Sequence, residues 1–313
     1  MPANNANTRE SSLILFAIIS VIRGPVFFLL LLSRPFAYFA GNILFDFAGR
    51  TACAVNSPFM LNFAIETARE AGQILLEKFG RITTVTKKGD INLVTEADLA
   101  SEHHIIERIK SHHPKHSILA EESGEAVVIG GDTTWKWIID PLDGTTNYAH
   151  GYPCFCVTLA LEHNGEIVIG VTFDPTRDEL FAAERGRGAT LNGKPIRVSA
   201  AEKLGDALIV TGFPYDFKQK ENFARHLTDF LLSSRGVRRD GSAAIDMAYV
   251  ACGRFDGFWE EGLNPWDVAA GKLLIEEAGG VVTYYDGSPF SIYKPPICAS
   301  NGAIHGQMLE VLK

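Results

Sequence analysis

The chain has 313 residues, 46% of them hydrophobic and 21% charged, which excludes a disordered chain and suffices for one large domain or two closely packed ones. Its formal charge is −8; Arg9, Arg23, Arg34 and Arg50 against Glu10 and Asp46 give residues 1–59 a charge of +2, which leaves −10 for residues 60–313. Such an acidic body repels phosphate backbones, so no nucleic-acid partner is expected and a site for divalent cations fits better.

Residues 13–32, LILFAIISVIRGPVFFLLLL, are long and apolar enough to span a bilayer, yet Arg23 and the Gly24-Pro25 break fall near the middle. Ala52-Cys53-Ala54 lies too far beyond the run to serve it as a signal cleavage site. Residues 1–59 are therefore read as an apolar N-terminal extension, with a dispensable or misassigned start, a membrane anchor and a secretory signal left open. Five cysteines, at 53, 154, 156, 252 and 298, form no CxxC pair and leave an odd thiol, which favours a reducing compartment. The expected location is cytoplasmic, with anchoring through residues 13–32 as the alternative.

The main domain is expected over 60–313. Leu61, Ala64, Ala68, Ala71, Leu75 and Phe79 recur at steps of three and four and predict a first helix, starting just after Met60 and ending at Gly80. Thr95-Glu96-Ala97-Asp98 reads as a capping box opening a second helix that runs to about His112, where Pro114 stops it. His103, His104, His112, His113 and His116 lack a matching cysteine or carboxylate frame, so a solvated helix end is preferred to a metal cluster. Strands are expected at 118–120, 135–139, 155–161, 167–173 and 180–183, joined by turns at Asn164-Gly165 and Asp174-Pro175, with another at Asn192-Gly193: an antiparallel meander. A strand there would put Cys154 and Cys156 on one face, where buried small side chains are commoner than zinc ligands. Gly186 and Gly188 precede no helix, which argues against a dinucleotide fingerprint. Strands at 208–211 and 281–284 then flank helices at 219–233, 242–252 and 266–278, so the fold class is α+β, a layered sandwich. Arg235, Arg238 and Arg239 form a local basic cluster, read as surface or dimer contact.

Three acidic groups lie where a strand ends or a helix begins: Glu121-Glu122-Ser123, Asp140-Pro141-Leu142-Asp143-Gly144-Thr145-Thr146-Asn147, and Trp266-Asp267. The apolar strand before Asp140 delivers that carboxylate to its tip. Pro141 fixes the bend, and Asp143 returns a second carboxylate to the same place, where the two can share hard cations. Gly144 allows close backbone approach, and the amides of Gly144, Thr145 and Thr146 can face an anion. Each group alone has an ordinary explanation: a type I turn at Asp-Pro, a solvated pair at Glu121 and Glu122, a helix-start acid at Asp267. Their combination points to chemistry.

Ala120-Glu121-Glu122-Ser123, DPLDGTTN at 140–147 and WDVAAG at 266–271, with GSAAIDMAYVACGRFDGFWE at 241–260, resemble the signatures of the inositol monophosphatase family from about Met60 to the C-terminus. The resemblance implies a five-layer αβαβα sandwich, usually homodimeric, and a magnesium-dependent, lithium-sensitive phosphomonoesterase acting on a small polyol such as myo-inositol monophosphate. It implies Glu121, Asp140, the carbonyl of Leu142, Asp143 and Asp267 as Mg2+ ligands, with Glu121, Thr145 and Asp140 catalytic. Substrate contacts would come from Asp143, Gly144, Thr145, Thr146, Gly241, Ser242, Ala243, Glu260 and, for phosphate steering, Lys88. Before Leu-Val-Thr the family usually has Asp where this chain has Asn92, with Asp90 two residues earlier, which puts a third metal site in doubt. Fructose-1,6-bisphosphatase or histidinol-phosphate phosphatase activity, and a regulatory protein-binding role, stand as alternatives.

Overall fold

The computed structural model describes residues 57–313 apart from 82–84, 89–91, 127–131, 214–219 and 295. The expectations for residues 1–56, for Asp90 and for the side chains of Lys88 and Asn92 lie outside the described residues. Among the described residues, no helix is long and apolar enough to cross a membrane.

Helix α1 (Ser57–Lys78) begins four residues earlier than its apolar stripe implies, and buries Ala64, Ala68, Ala71 and Leu75 completely. The backbone strands β1 (Val85–Lys88) and β2 (Asn92–Thr95) form an antiparallel hairpin that feeds α2 (Glu96–His112). The capping box forms as expected: Thr95 accepts from the amides of Ala97 and Asp98, and the Thr95 amide donates to Asp98 Oδ2 at 2.8 Å. Helices α1 and α2 pack against each other and against one face of an eight-stranded sheet.

Across that sheet, residues 194–195, 188–191, 179–184, 166–174, 156–163, 132–143, 116–120 and 124–126 lie side by side in that order. Strands β5 (Asp132–Asp143), β6 (Cys156–His163), β7 (Glu166–Asp174), β8 (Glu179–Glu184), β9 (Gly188–Leu191) and β10 (Lys194–Pro195) form the expected antiparallel meander. Strand β3 (His116–Ala120) runs parallel to β5 and pairs with β4 (Gly124–Ala126). Asn164-Gly165 and Asn192-Gly193 carry positive φ at both positions (52° and 85°, 50° and 74°), the mirror-image turn that matches strand twist.

Both faces of the large sheet are buried, because successive residues point to opposite sides. Trp137 and Ile139 face α1 and α2, whereas Ile138 faces α5 (Ala243–Ala251) and α6 (Pro265–Glu277). A Cβ on Gly170 of β7 would stand 2.9 Å from the Ala270 carbonyl, and one on Gly271 would stand 2.7 Å from Met247 Cβ. These glycines let α6 sit close to both neighbours. On the far side of α5 and α6 lies a five-stranded sheet of β11 (Leu208–Thr211), β12 (Gly236–Arg238), β13 (Gly257–Glu260), β14 (Val281–Thr283) and β15 (Ile297–Ser300), ordered β12-β11-β13-β15-β14. It alternates in the same way: Val210, Phe258 and Ala299 face inward, while Ile209, Trp259 and Cys298 meet α4 (Lys220–Ser233) and α7 (His305–Val311). Helices, sheet, helices, sheet, helices: the five-layer α+β sandwich is the observed fold.

Three local expectations are corrected. Strand β5 does not stop at Ile139 but continues to Asp143, with a register shift between Asp140 and Asp143 that leaves Pro141 and Leu142 as a bulge. Cys154 precedes β6 instead of lying in it, although both thiols are buried against Ala244 and Ile245. His113 and His116 are not a solvated helix end. Their rings stack at 4.8 Å, and His116 Nδ1 accepts from Trp137 Nε1 at 3.1 Å, because the aromatic pair at the start of β5 offers them an apolar seat.

Candidate active site

The three acidic groups meet at one end of the large sheet. Glu121 follows the last residue of β3, Asp140 and Asp143 flank the bulge of the parallel neighbour β5, and Asp267 sits in the first turn of α6. Oxygens of Asp140, Asp143 and Asp267 all lie within 4.8 Å of one another, and Asp140 is 2% exposed. Glu121 and Asp267 each lie close enough to Asp140 to affect its ionisation.

Each acid is held in place. The Leu142 amide donates to Asp140 Oδ1 at 3.0 Å; Ser242 Oγ and the Ala244 amide donate to Asp143 Oδ2 at 2.6 and 2.8 Å; the Asn264 amide donates to Asp267 Oδ2 at 2.7 Å in a second capping box. Burial, then the neighbouring acids, push Asp140 well above the usual carboxylate range. Burial followed by the charges of Asp267 and Glu122 takes Glu121 to about 8, and burial followed by the charge of Asp143 takes Asp267 to about 7. Asp143 is also raised by burial, against the bonds from Ser242 and the α5 amides.

After Asp143 the chain turns at Gly144, whose φ of 94° is left-handed; a Cβ there would also lie 2.8 Å from the Cys154 carbonyl. Helix α3 (Thr145–Ala149) starts directly afterwards. Asn147 Nδ2 ties it to the carbonyls of Cys154 and Asp240 at 2.8 and 2.9 Å, which brings Gly241 alongside. The Thr145 hydroxyl lies 3.0 Å from the Leu142 carbonyl and 3.2 Å from Asp98 Oδ1. One cavity is lined by Glu121, Asp140, Leu142, Asp143, Gly144, Thr145, Thr146, Gly241, Ser242, Ala243, Glu260 and Asp267, so every sequence-derived site residue whose side chain is described borders it.

Both sheets and the helices between them thus converge on an anion-ready turn beside clustered acids. A model of the inositol monophosphatase family matches residues 57–313. The chain belongs to the inositol monophosphatase family. It is 46% identical over 260 residues to an inositol-1-monophosphatase of Synechocystis, covering 80% of this chain and 88% of that one. It is 43% identical over 259 residues to a protein of Pseudomonas aeruginosa named Nus factor SuhB, covering 81% and 96%. An inositol monophosphatase of Anabaena (Nostoc) superposes with a TM-score of 0.73 at 46% identity, over 82% of this chain and 96% of that one. The chain is a phosphatase, a phosphoric monoester hydrolase, and membership of the inositol monophosphatase family implies a divalent metal.

Several residues of this inositol monophosphatase site escaped the sequence. Asp98, read as a cap, also meets Thr145, and burial raises it to about 6. Ser101 Oγ donates to the Pro141 carbonyl at 2.8 Å, and Glu102 Oε2 accepts from the Glu122 amide at 2.9 Å. Helix α2 therefore holds two of the three acidic segments, the one after β3 and the one after Asp140, with side chains at i, i+3 and i+4 positions. Arg239 is exposed, and it also borders the cavity, its guanidinium 4.7 Å from the Phe213 ring. Asp246 borders it as well. The only advance signal for the α2 set was polar residues on an otherwise apolar stripe.

Proposed function

We propose that the chain hydrolyses the phosphomonoester of a small polyol, myo-inositol monophosphate foremost, with Mg2+. The observation that carries this is the meeting of Asp140, Asp143 and Asp267 beside Glu121 and next to the Gly144–Thr146 turn. The donor set is all hard oxygen, and its acids, pressed together, retain protons that a cation would replace; both features fit magnesium. Glu121, Asp140, the Leu142 carbonyl, Asp143 and Asp267 would hold the metal. When bound, Mg2+ would supply charge neutralisation for the phosphoryl group and acidify a water.

The protein's own residues do the rest. Thr145, fixed between Asp98 and the Leu142 carbonyl, holds a water beside Glu121. With Glu121 ionised, that carboxylate takes the water's proton as its oxygen bonds to phosphorus, the ester P–O bond breaks, and the leaving alkoxide takes a proton from solvent to depart as the alcohol. The amides of Gly144, Thr145 and Thr146 face the phosphate oxygens. Ser242, Ala243, Asp143 and Glu260 meet the alcohol. A Cβ on Gly212 would lie 2.0 Å from Glu260 Oε1, so Glu260 needs that glycine to occupy its place. Lithium sensitivity and a homodimer complete the proposal; light scattering at twice the 34.2 kDa chain mass is the expected result for the dimer. The name Nus factor borne by relatives at 43% identity favours a second, protein-binding role, which affinity capture with the full chain would detect.

Phosphate release at saturating magnesium from myo-inositol monophosphate, fructose 1,6-bisphosphate and histidinol phosphate, with and without lithium, tests the reading. The highest kcat/KM is expected for inositol phosphate, with inhibition by lithium. Preference for either of the other two would overturn the substrate assignment.

A further inference from the structure

Beyond the acids that would hold cations and Glu260, two carboxylates line the same cavity: Glu261, 3.5 Å from His226 Nδ1, and Asp246, which is left without a task. Asp246 lies one turn after Ala243 on α5, borders the cavity and is 1% exposed, yet no described residue donates a hydrogen bond to its Oδ1. Glu260, 7% exposed on β13, borders the same cavity with its Oε2 likewise without a donor. Buried carboxylate oxygens with no partner are rare and unfavourable, and a ligand bearing O–H groups would satisfy both. Asp246 is also rigidly placed: the first turn of its helix is fastened to Asp143 through Ser242 Oγ and the Ala244 amide.

Two plainer roles fit less well. A helix-start acid that merely complements the macrodipole gains nothing from a buried oxygen left without a donor. A further cation site would need a third ligand close by, and among the described residues the one group of three such side chains tight enough for an ion is Asp140, Asp143 and Asp267.

We infer that Asp246 determines specificity by reading the alcohol half of the substrate, accepting hydrogen bonds from hydroxyls remote from the phosphate. It selects polyhydroxylated leaving groups over alcohols with no further hydroxyl. This rests on the polyol-phosphatase reading and deepens it.

The test compares kcat/KM for myo-inositol monophosphate and for p-nitrophenyl phosphate, whose leaving group has no other hydroxyl, in the full chain and in Asp246→Ala. The ratio between the two substrates is expected to fall at least about tenfold in the variant, through a raised KM for inositol phosphate. Equal changes for both substrates, or none, would overturn the inference while leaving the phosphatase reading intact. A wild-type chain that cleaves p-nitrophenyl phosphate and not inositol phosphate would overturn both. Should Asp246→Ala fail to fold, the near-isosteric Asp246→Asn is read in the same way, with a smaller fall of the ratio expected because one acceptor oxygen remains.

Discussion

Asp140 concentrates the opposing demands on this site. It is buried and surrounded by the acids Glu121, Asp143 and Asp267, so its charge is tolerable only beside a cation. Replacement by Asn removes a charged ligand while preserving shape. Metal-ion stabilisation is worth several kcal/mol, so Asp140→Asn is expected to lower kcat by ~10³-fold or more. In chelator the same variant is expected to melt no lower than the wild type, because it relieves repulsion; phosphate release and a circular-dichroism melt check the two halves. The cluster also sets a pH dependence. Glu121 at about 8 and Asp267 at about 7 keep protons in the folded state that an unfolded chain releases near pH 4. The folded state then binds more protons than the unfolded one, so the stability of metal-free protein is highest below about pH 4 as far as these groups are concerned. It falls as pH rises toward 8. Magnesium competes with those protons, so the difference in Tm between magnesium and chelator is expected to widen from pH 6 to pH 8. A constant difference would count against these acids as the ligands.

At the level of elements, the site depends on how closely helices approach sheets. Helix α6 carries Asp267 to the cavity and rests on β7 where Gly170 meets the Ala270 backbone. Gly170→Ala is expected to destabilise by about 1–3 kcal/mol, because backbone cannot yield as a side-chain tip can. A fall in Tm of roughly 2–4 °C per kcal/mol would register it, and an unchanged Tm would contradict the packing described. Elements whose evidence is local were legible in the sequence: the α1 stripe, the Thr95–Asp98 box, the Asn-Gly turns and the strand leading to Asp140. What stayed hidden depends on distant partners. Asp98 meets Thr145, and Ser101 meets Pro141, across more than 35 positions of sequence, and neither spacing nor periodicity encodes such pairs. Strands β13 and β15 are four residues each, too short for alternation to mark them, and gain their place from pairing with each other in register. Asp140-Pro141 suits a turn and a bulge equally, so the sequence alone does not separate the two.

For the molecule as a whole, five layers serve one cavity. The large sheet supplies Glu121, Asp140 and Asp143, the inner helices supply Ser242, Asp246 and Asp267, and the small sheet supplies Glu260. No single layer could act alone, which explains why three motifs spread from residue 121 to residue 267 read separately as ordinary turns and caps. The most direct test is turnover of myo-inositol monophosphate by the full chain, stripped with chelator, as Mg2+ is titrated back. Activity that is absent in chelator and rises to saturation with magnesium is the predicted result. Equal turnover in chelator, or none at saturating magnesium, would contradict the assignment.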